Sequence, residues 1–343
     1  MDSNKILILK NDRAGDLFAS INLISDILNY NNHKKITIFL SELNYDFSFL
    51  FKGINFIKTN FDLTTINKIS IFLHILFNRY EHIYILSPKN FYFFLPFFFR
   101  NTKFYAIVYD GEKRFRPSIF LRKFLYKYVI IYRNKKNFDN YSNLQLQLID
   151  NKNLSIKYNS IISLPTLNPK LKKLLPSEYV FFQFKYNFFR DLNWSKTNII
   201  DFLNLISSKY KNVLFCSDKE INNSTKDIIN FFVNEFSYID VSKLDSNFFN
   251  NKNIIYLKNL DSENLFHIIN NSKLNIGPHG IMTHMSYYCK TPSYNLFNFK
   301  IKSKNDYYHQ KISYSEWYQN MNLKFSFLNS NFKKTIRKIS KNL

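Results

Sequence analysis

Short apolar runs, each followed by a stretch with helical apolar spacing, recur along this chain of 343 residues and limit what it can fold into. Lys5 to Leu9 (KILIL), Lys35 to Leu40 (KITIFL), His82 to Leu86 (HIYIL) and Lys103 to Val108 read as buried strands, with a shorter one at Asn55 to Lys58. Between them, Asp16 to Tyr30 places Leu17, Ile21, Ile24 and Leu28 on one helical face, and Ile66 to Tyr80 and Asn90 to Arg100 also read as helices. Apolar strands alternating with helices predict a parallel sheet covered on both faces.

The alternation then restarts. Strands are expected at Tyr179 to Phe184, Asn212 to Cys216, Ile254 to Tyr256, Leu274 to Ile276 and Pro292 to Phe297. Helices are expected at Lys196 to Lys209, Asn223 to Glu235 and Ser262 to Asn271, with His284 to Cys289 on a further one. Pro165, Pro169 and several Lys mark a linker, and the last residues form a basic helix. The expected organisation is α/β, with two Rossmann-like doubly wound domains at 1–163 and 179–325, a linker at 164–178 and a C-terminal helix at 326–343. Ligands of such a protein gather at the carboxyl ends of the parallel strands, in the cleft between domains.

Composition narrows the partners. Lys and Arg number 48 against 25 Asp and Glu, a formal net charge of +23, but the Lys are scattered and no nucleic-acid motif is present. This suits solvated faces and anionic small molecules first, an anionic membrane second and nucleic acid last. The most apolar run, Phe91 to Phe99, is about half the ~20 residues of a membrane span, and Pro96 interrupts it. No signal-peptide core follows Met1, so a cytoplasmic protein is expected, with peripheral contact at the inner face of the membrane as an option. Cys216 and Cys289 have no metal spacing or disulfide framework and read as buried thiols.

Only five glycines occur, against roughly 24 at the average usage of about 7%. Three fall in two loops that each end a strand and open a helix: Gly15, and the pair Gly277 and Gly280. Backbone N–H groups in such loops can face an anion. In the first loop, Asp16 stands at or near the helix N-terminus, either as a cap or as a carboxylate that removes a proton from a hydroxyl. Arg13 either pairs with Asp12 or holds an acceptor phosphate or carboxylate. In the second, Gly277-Pro278-His279-Gly280-Ile281-Met282-Thr283-His284 can offer N–H groups, a hydroxyl and an imidazole to a diphosphate. The two histidines lack the spacing and neighbouring carboxylates of a metal site.

Together these loops resemble those of family 9 glycosyltransferases, the heptosyltransferase family of lipopolysaccharide assembly. Its members open with a strand, then Arg-x-Asp-Arg-x-Gly-Asp and a helix, which Lys10-Asn11-Asp12-Arg13-Ala14-Gly15-Asp16 matches with Lys for the first Arg. Asn193-Trp194-Ser195 resembles the family's Lys-x-Trp-Pro segment, and Ser217-Asp218-Lys219-Glu220 its ribose-binding turn. Thr283 and His284 match the end of its Asp-Thr-Gly-Leu-Ser-His loop, whereas His279, Ile281 and Leu192 depart from the pattern.

The resemblance implies a GT-B fold and an inverting, metal-independent transfer of a heptose or related sugar from a nucleotide-diphosphate donor, with no cofactor. It makes Asp16 the base, with Arg13, Asp12 and Gly15 at the acceptor, a cell-surface glycan or glycolipid. Glu220 is expected on the ribose, and Gly277, His279, Gly280, Thr283 and His284 on the diphosphate. Lys185 or Arg190 would replace the lysine that Leu192 displaces. The alternative is a non-catalytic GT-B protein that binds a glycan or nucleotide. The terminal helix is expected to pack back on the N-terminal domain or, with its basic face, to contact anionic lipid.

Overall fold

The computed structural model describes residues 5–31, 35–110, 117–132, 145–149, 166–218, 223–247, 253–298, 323–328 and 330–342. These form two compact units, an N-terminal one up to residue 149 and a C-terminal one from residue 166.

The N-terminal unit is built on six parallel strands: β1 (Lys5–Lys10), β2 (Lys35–Ser41), β3 (Asn55–Thr59), β4 (His82–Ile85), β5 (Lys103–Asp110) and β6 (Lys127–Tyr132). Their order is β3-β2-β1-β4-β5-β6. β1 is central, which explains its near-continuous apolar sequence: Ile6 pairs with Ile36 on one side and His82 on the other. The order reverses between β1 and β4, so the loops after these two strands flank the crevice where such sheets hold ligands.

Helices α1 (Ala14–Ala19) and α2 (Ile21–Tyr30) follow β1; α3 (Thr65–Asn78), α4 (Asn90–Phe98) and the single turn α5 (Ile119–Arg122) connect β3 to β6. The helix expected over 16–30 is thus two helices, parted at Ser20. A capping box between Thr64 and Asn67 fixes the start of α3, and Arg79 ends it in the left-handed region at φ 49°. Ile71 and Ile75 of α3 and Phe93 and Leu95 of α4 pack with Leu7, Leu9, Ile83 and Ile85 in one core.

The C-terminal unit holds eight strands: β7 (Val180–Gln183), β8 (Val213–Cys216), β9 (Ser237–Asp240), β10 (Asp245–Asn247), β11 (Ile254–Lys258), β12 (Asn275–Pro278), β13 (Ser293–Asn298) and β14 (Leu323–Leu328). They run in the order β10-β9-β11-β8-β7-β12-β13-β14, and only the β9–β10 pair is antiparallel. Here the crevice falls between β7 and β12. The helices are α6 (Pro169–Leu174), α7 (Tyr186–Asp191), α8 (Lys196–Lys209), α9 (Asn223–Glu235), α10 (Ser262–Asn271), α11 (Ile281–Tyr288) and α12 (Phe332–Asn342). The expected linker therefore contains a short helix, α6, whose Leu171 is buried.

Trp194 is a core anchor here, with ring centroids 5.0 Å from Phe189, 5.6 Å from Phe202 and 5.0 Å from Phe332. The last contact corrects the expectation for the terminal helix. α12 buries Ile339 and packs Phe332 and Ile336 into the core of the C-terminal unit, leaving Lys333, Lys334, Arg337, Lys338 and Lys341 exposed. Its apolar face is therefore occupied, and only its basic face is open to a partner. Among the described residues, no helix is long and apolar enough to cross a membrane.

Candidate active site

The loop after β1 is anchored by a buried ion pair. Lys10 is fully buried at the end of the strand and its Nζ lies 2.7 Å from Asp12 Oδ2. Asn44 Nδ2 donates to the Lys10 carbonyl at 2.8 Å, and Ser41 Oγ donates to the Asp12 carbonyl at 2.5 Å. Burial pushes the Asp12 carboxyl up to about 6, opposed by the Lys10 ammonium and reinforced by the Asp16 charge. Asp12 thus pairs with Lys10, not with Arg13. The Arg13 guanidinium is exposed and sits 5.8 Å from the centroid of the Phe61 ring.

Asp16 differs from Asp12 in its partners. It is the third residue of α1, whose N-cap is Arg13 with no side-chain cap, so Asp16 does not cap the helix. Gly15, beside it, lies in the same first turn. Among the described residues the Asp16 carboxylate has no hydrogen-bond or ion-pair partner, and it faces a cavity of about 960 Å³. The cavity lies at the carboxyl ends of the strands. Asp12, Arg13 and Asp16 contribute from the loop after β1, Phe61 to Leu63 from beyond β3, and Ser87 to Phe91 from beyond β4. Lys68, Phe94 and Tyr109 complete it.

The lining carries three cations, Arg13, Lys68 and Lys89, and aromatic walls. The Lys89 ammonium sits 4.6 Å from the Phe61 centroid and bonds the Phe61 carbonyl. Burial pulls its pKa down, against the carboxylates of Asp12, Asp62 and Glu42. The lining also carries three acids, Asp12, Asp16 and Asp62, so it is mixed in charge rather than cationic. Lys68 and Lys89 are not among the expected residues, because only the strand order brings the segments after β3 and β4 beside Asp16.

In the C-terminal unit, the loops after β7 and β12 bring Lys185 and the Gly277–His284 turn together. Lys185 Nζ donates to the His279 carbonyl at 3.4 Å, and a Cβ added at Gly280 would collide with that ammonium. The glycine is needed for the approach. Gly277 is needed too, since a Cβ there would lie 2.9 Å from the Gln183 carbonyl oxygen of β7. Burial lowers the Lys185 pKa, opposed by the Asp218 carboxylate, which accepts from the Tyr186 N–H at 3.0 Å. The cation therefore sits at the N-terminus of α11, where the helix dipole also favours an anion.

The His279 ring stacks on Phe297 at 5.3 Å and lies 5.7 Å from the His284 ring, centroid to centroid. Burial first, then His284 and Lys185, hold it neutral with a pKa well below 6.5. Thr283 Oγ1 donates to the buried Asn295 Oδ1 at 2.5 Å and accepts from the Gly280 N–H at 3.3 Å. Its hydroxyl is committed to holding the turn rather than offered to a ligand. Arg190 lies apart from this cluster: it pairs with Asp191 at 3.0 Å on the exposed face of α7. Glu220 lies outside the described residues. Among the described residues, no group of three or more His, Cys, Asp and Glu is placed to hold a metal ion.

The sequence matches no protein-family model and no curated protein. Among solved structures, it resembles E. coli ADP-heptose lps heptosyltransferase II at a TM-score of 0.63 and 11% identity, covering 98% of this chain and 97% of that one. The family 9 glycosyl transferase of Veillonella parvula gives 0.61 at 11% identity, covering 99% and 89%. The UDP-GlcNAc 2-epimerase of Methanocaldococcus jannaschii gives 0.52 at 11% identity, covering 98% and 91%. Two mostly parallel, doubly wound sheets and these likenesses give the chain the GT-B fold, in the form also seen in a family 9 glycosyltransferase and a heptosyltransferase.

Proposed function

We propose that the protein is an inverting glycosyltransferase that moves a heptose or related sugar from a nucleotide-diphosphate donor to a surface glycan or lipid-linked acceptor. The observation that carries this reading is the contrast between two neighbouring carboxylates: Asp12 is locked to Lys10, while Asp16, at the edge of a cavity, has no partner among the described residues. A structural aspartate needs partners, whereas a base must keep its lone pairs for substrate. The heptosyltransferase named above, which shares the fold, also supports the donor class.

In the proposed reaction an acceptor hydroxyl, held among Arg13, Lys68 and Lys89, gives its proton to Asp16. Its oxygen bonds to the anomeric carbon as the bond from that carbon to the diphosphate oxygen breaks on the opposite face. The nucleoside diphosphate departs with the negative charge, which the Lys185 ammonium and the first-turn N–H groups of α11 stabilise. No metal is required in this scheme, and activity should persist in EDTA. The commitment of Thr283 to Asn295 leaves fewer groups for phosphate and favours one other reading, a GT-B protein that binds a nucleotide sugar without transferring it. The test is a thermal-shift screen of nucleotide-diphosphate sugars followed by transfer assays with the best binder. Stabilisation with turnover supports transfer; stabilisation alone supports the binding protein; no stabilisation by any donor refutes both.

A further inference from the structure

The outward side of the α3–α5 layer is apolar. On α3, Ile66, Ile69, Leu73, Leu76 and Phe77 form one stripe and are 42–78% exposed, opposite the buried Ile71 and Ile75. Ring contacts extend it across α4 and α5. Phe72 of α3 meets Phe98 of α4 at 5.6 Å, Phe98 meets Phe97 at 5.3 Å, Phe97 meets Phe124 at 5.4 Å, and Phe124 meets Phe120 of α5 at 5.2 Å. Phe98, Ile119 and Phe120 are themselves 59–76% exposed, and a groove of about 510 Å³ runs between α4 and Pro117–Leu121. An exposed apolar surface on this scale marks an interface.

The charges around it point to its partner. Segments 63–110 and 117–132, which make this layer and its strands, carry eight Lys and Arg against two acids, Glu81 and Asp110. Several cations lie over the aromatic rings: Arg100 over Phe97 at 5.7 Å, Arg122 over Tyr128 at 5.7 Å and Lys103 over Tyr126 at 5.2 Å. Apolar and aromatic groups ringed by cations are the composition of a surface that lies in the headgroup region of an anionic bilayer. A second copy of this face would bring like charges together.

We propose that the α3–α5 face docks the protein onto a bilayer containing anionic phospholipid, with the aromatic groove against the acyl boundary. Asn90 and Phe94 line both this groove and the Asp16 cavity, so docking brings the cavity to the membrane surface. The value of that for a lipid-linked acceptor rests on the transfer reading; the docking does not.

The test is flotation of the full chain with phosphatidylglycerol–phosphatidylcholine vesicles and with phosphatidylcholine alone. The protein should float with the anionic vesicles and fall off as salt rises. The triple variant Phe77→Gln/Phe98→Gln/Ile119→Gln, at exposed positions, should reduce binding at least about tenfold. Lys103→Gln/Lys123→Gln should weaken binding to anionic vesicles with the apolar face intact. The terminal-helix variant Lys333→Gln/Lys334→Gln/Arg337→Gln should bind as the wild type does. Absence of wild-type binding, undiminished binding by the apolar triple variant, or loss only in the terminal-helix variant would each overturn the proposal. So would a wild-type dimer that the apolar triple variant converts to monomer without any vesicle binding. Flotation needs no sugar donor, so its failure and the failure of the transfer reading are separate results.

Discussion

Exchanging each of two aspartates for asparagine separates a structural carboxylate from the proposed base. In Asp12→Asn the fully buried Lys10 ammonium keeps a neutral amide and a distant carbonyl, Leu86 O at 3.4 Å, in place of a carboxylate at 2.7 Å. Breaking a buried pair by removing one partner costs about 3–5 kcal/mol. The Asp12 side chain keeps 16% of its exposure and asparagine can still accept one bond, so the low end applies, about 3 kcal/mol. For a domain of this size that lowers the melting temperature by about 6–12 °C. Asp16→Asn removes no partner among the described residues and only a favourable charge in the first turn of α1, worth about 0.3–1 kcal/mol.

Turnover should follow the opposite order. Loss of a general base lowers kcat by about 10²–10⁴-fold, and this falls on Asp16→Asn, while Asp12→Asn retains turnover where it is folded. A pH series adds a second constraint. The Asp12 carboxyl in the folded state lies at about 6, above its ordinary 3.8, so the folded protein holds this proton more tightly than the unfolded chain. Its contribution to stability is complete below pH 3.8 and lost as pH rises through 6. The Asp12→Asn penalty should therefore grow on acidification through pH 6, because wild type gains the preferential protonation of folded Asp12 and asparagine does not titrate. Calorimetric melting and kcat for both variants test the scheme. It fails if Asp16→Asn keeps turnover within about tenfold of wild type, or if Asp12→Asn, fully folded, loses more.

Other expected outcomes concern the C-terminal unit. Gly280→Ala should displace the Lys185 ammonium and weaken nucleoside-diphosphate affinity at least about tenfold by calorimetry, since Cβ and Nζ cannot share the space. Thr283→Val should lower stability by about 1–3 kcal/mol, by leaving Asn295 and the Gly280 N–H unsatisfied, with little direct effect on donor affinity in the folded protein. His279 has a depressed folded pKa, so its contribution to stability is present above the ordinary 6.5 and lost as pH falls below it. Hydrogen exchange corrected for pH should show the β12–α11 region opening more readily at pH 5.5 than at pH 7, and His279→Gln should flatten that difference.

The sequence carries strand and helix identity where local pattern and burial agree. Buried on both faces, β1 reads as an unbroken apolar run, and α8 and α9 begin and end where spacing predicts. β9 (Ser237–Asp240) and β14 (Leu323–Leu328) escape that reading because polar residues interrupt their apolar pattern, and β10 pairs antiparallel at an edge. The same limit governs the sites. Asp16 is legible from its loop, but the burial of Lys10 beside Asp12, which occupies the other carboxylate, is not: nothing in a Lys-rich sequence marks one lysine as buried.

The donor turn shows the reverse case. The Gly277–His284 string locates the turn, yet the role of each member is set by residues remote in sequence. Lys185 arrives from 94 residues away, and Asn295 takes the Thr283 hydroxyl from 12 residues away. Periodicity gives α3 an apolar character all round without saying which stripe the sheet covers and which remains open. Each of these gaps is a pairing between distant segments. The Lys10–Asp12 pair and the Lys185–Gly280 contact therefore matter to the proposed transfer as much as the motifs do: one occupies Asp12 and leaves Asp16 without a partner among the described residues, and the other holds a cation at the N-terminus of α11.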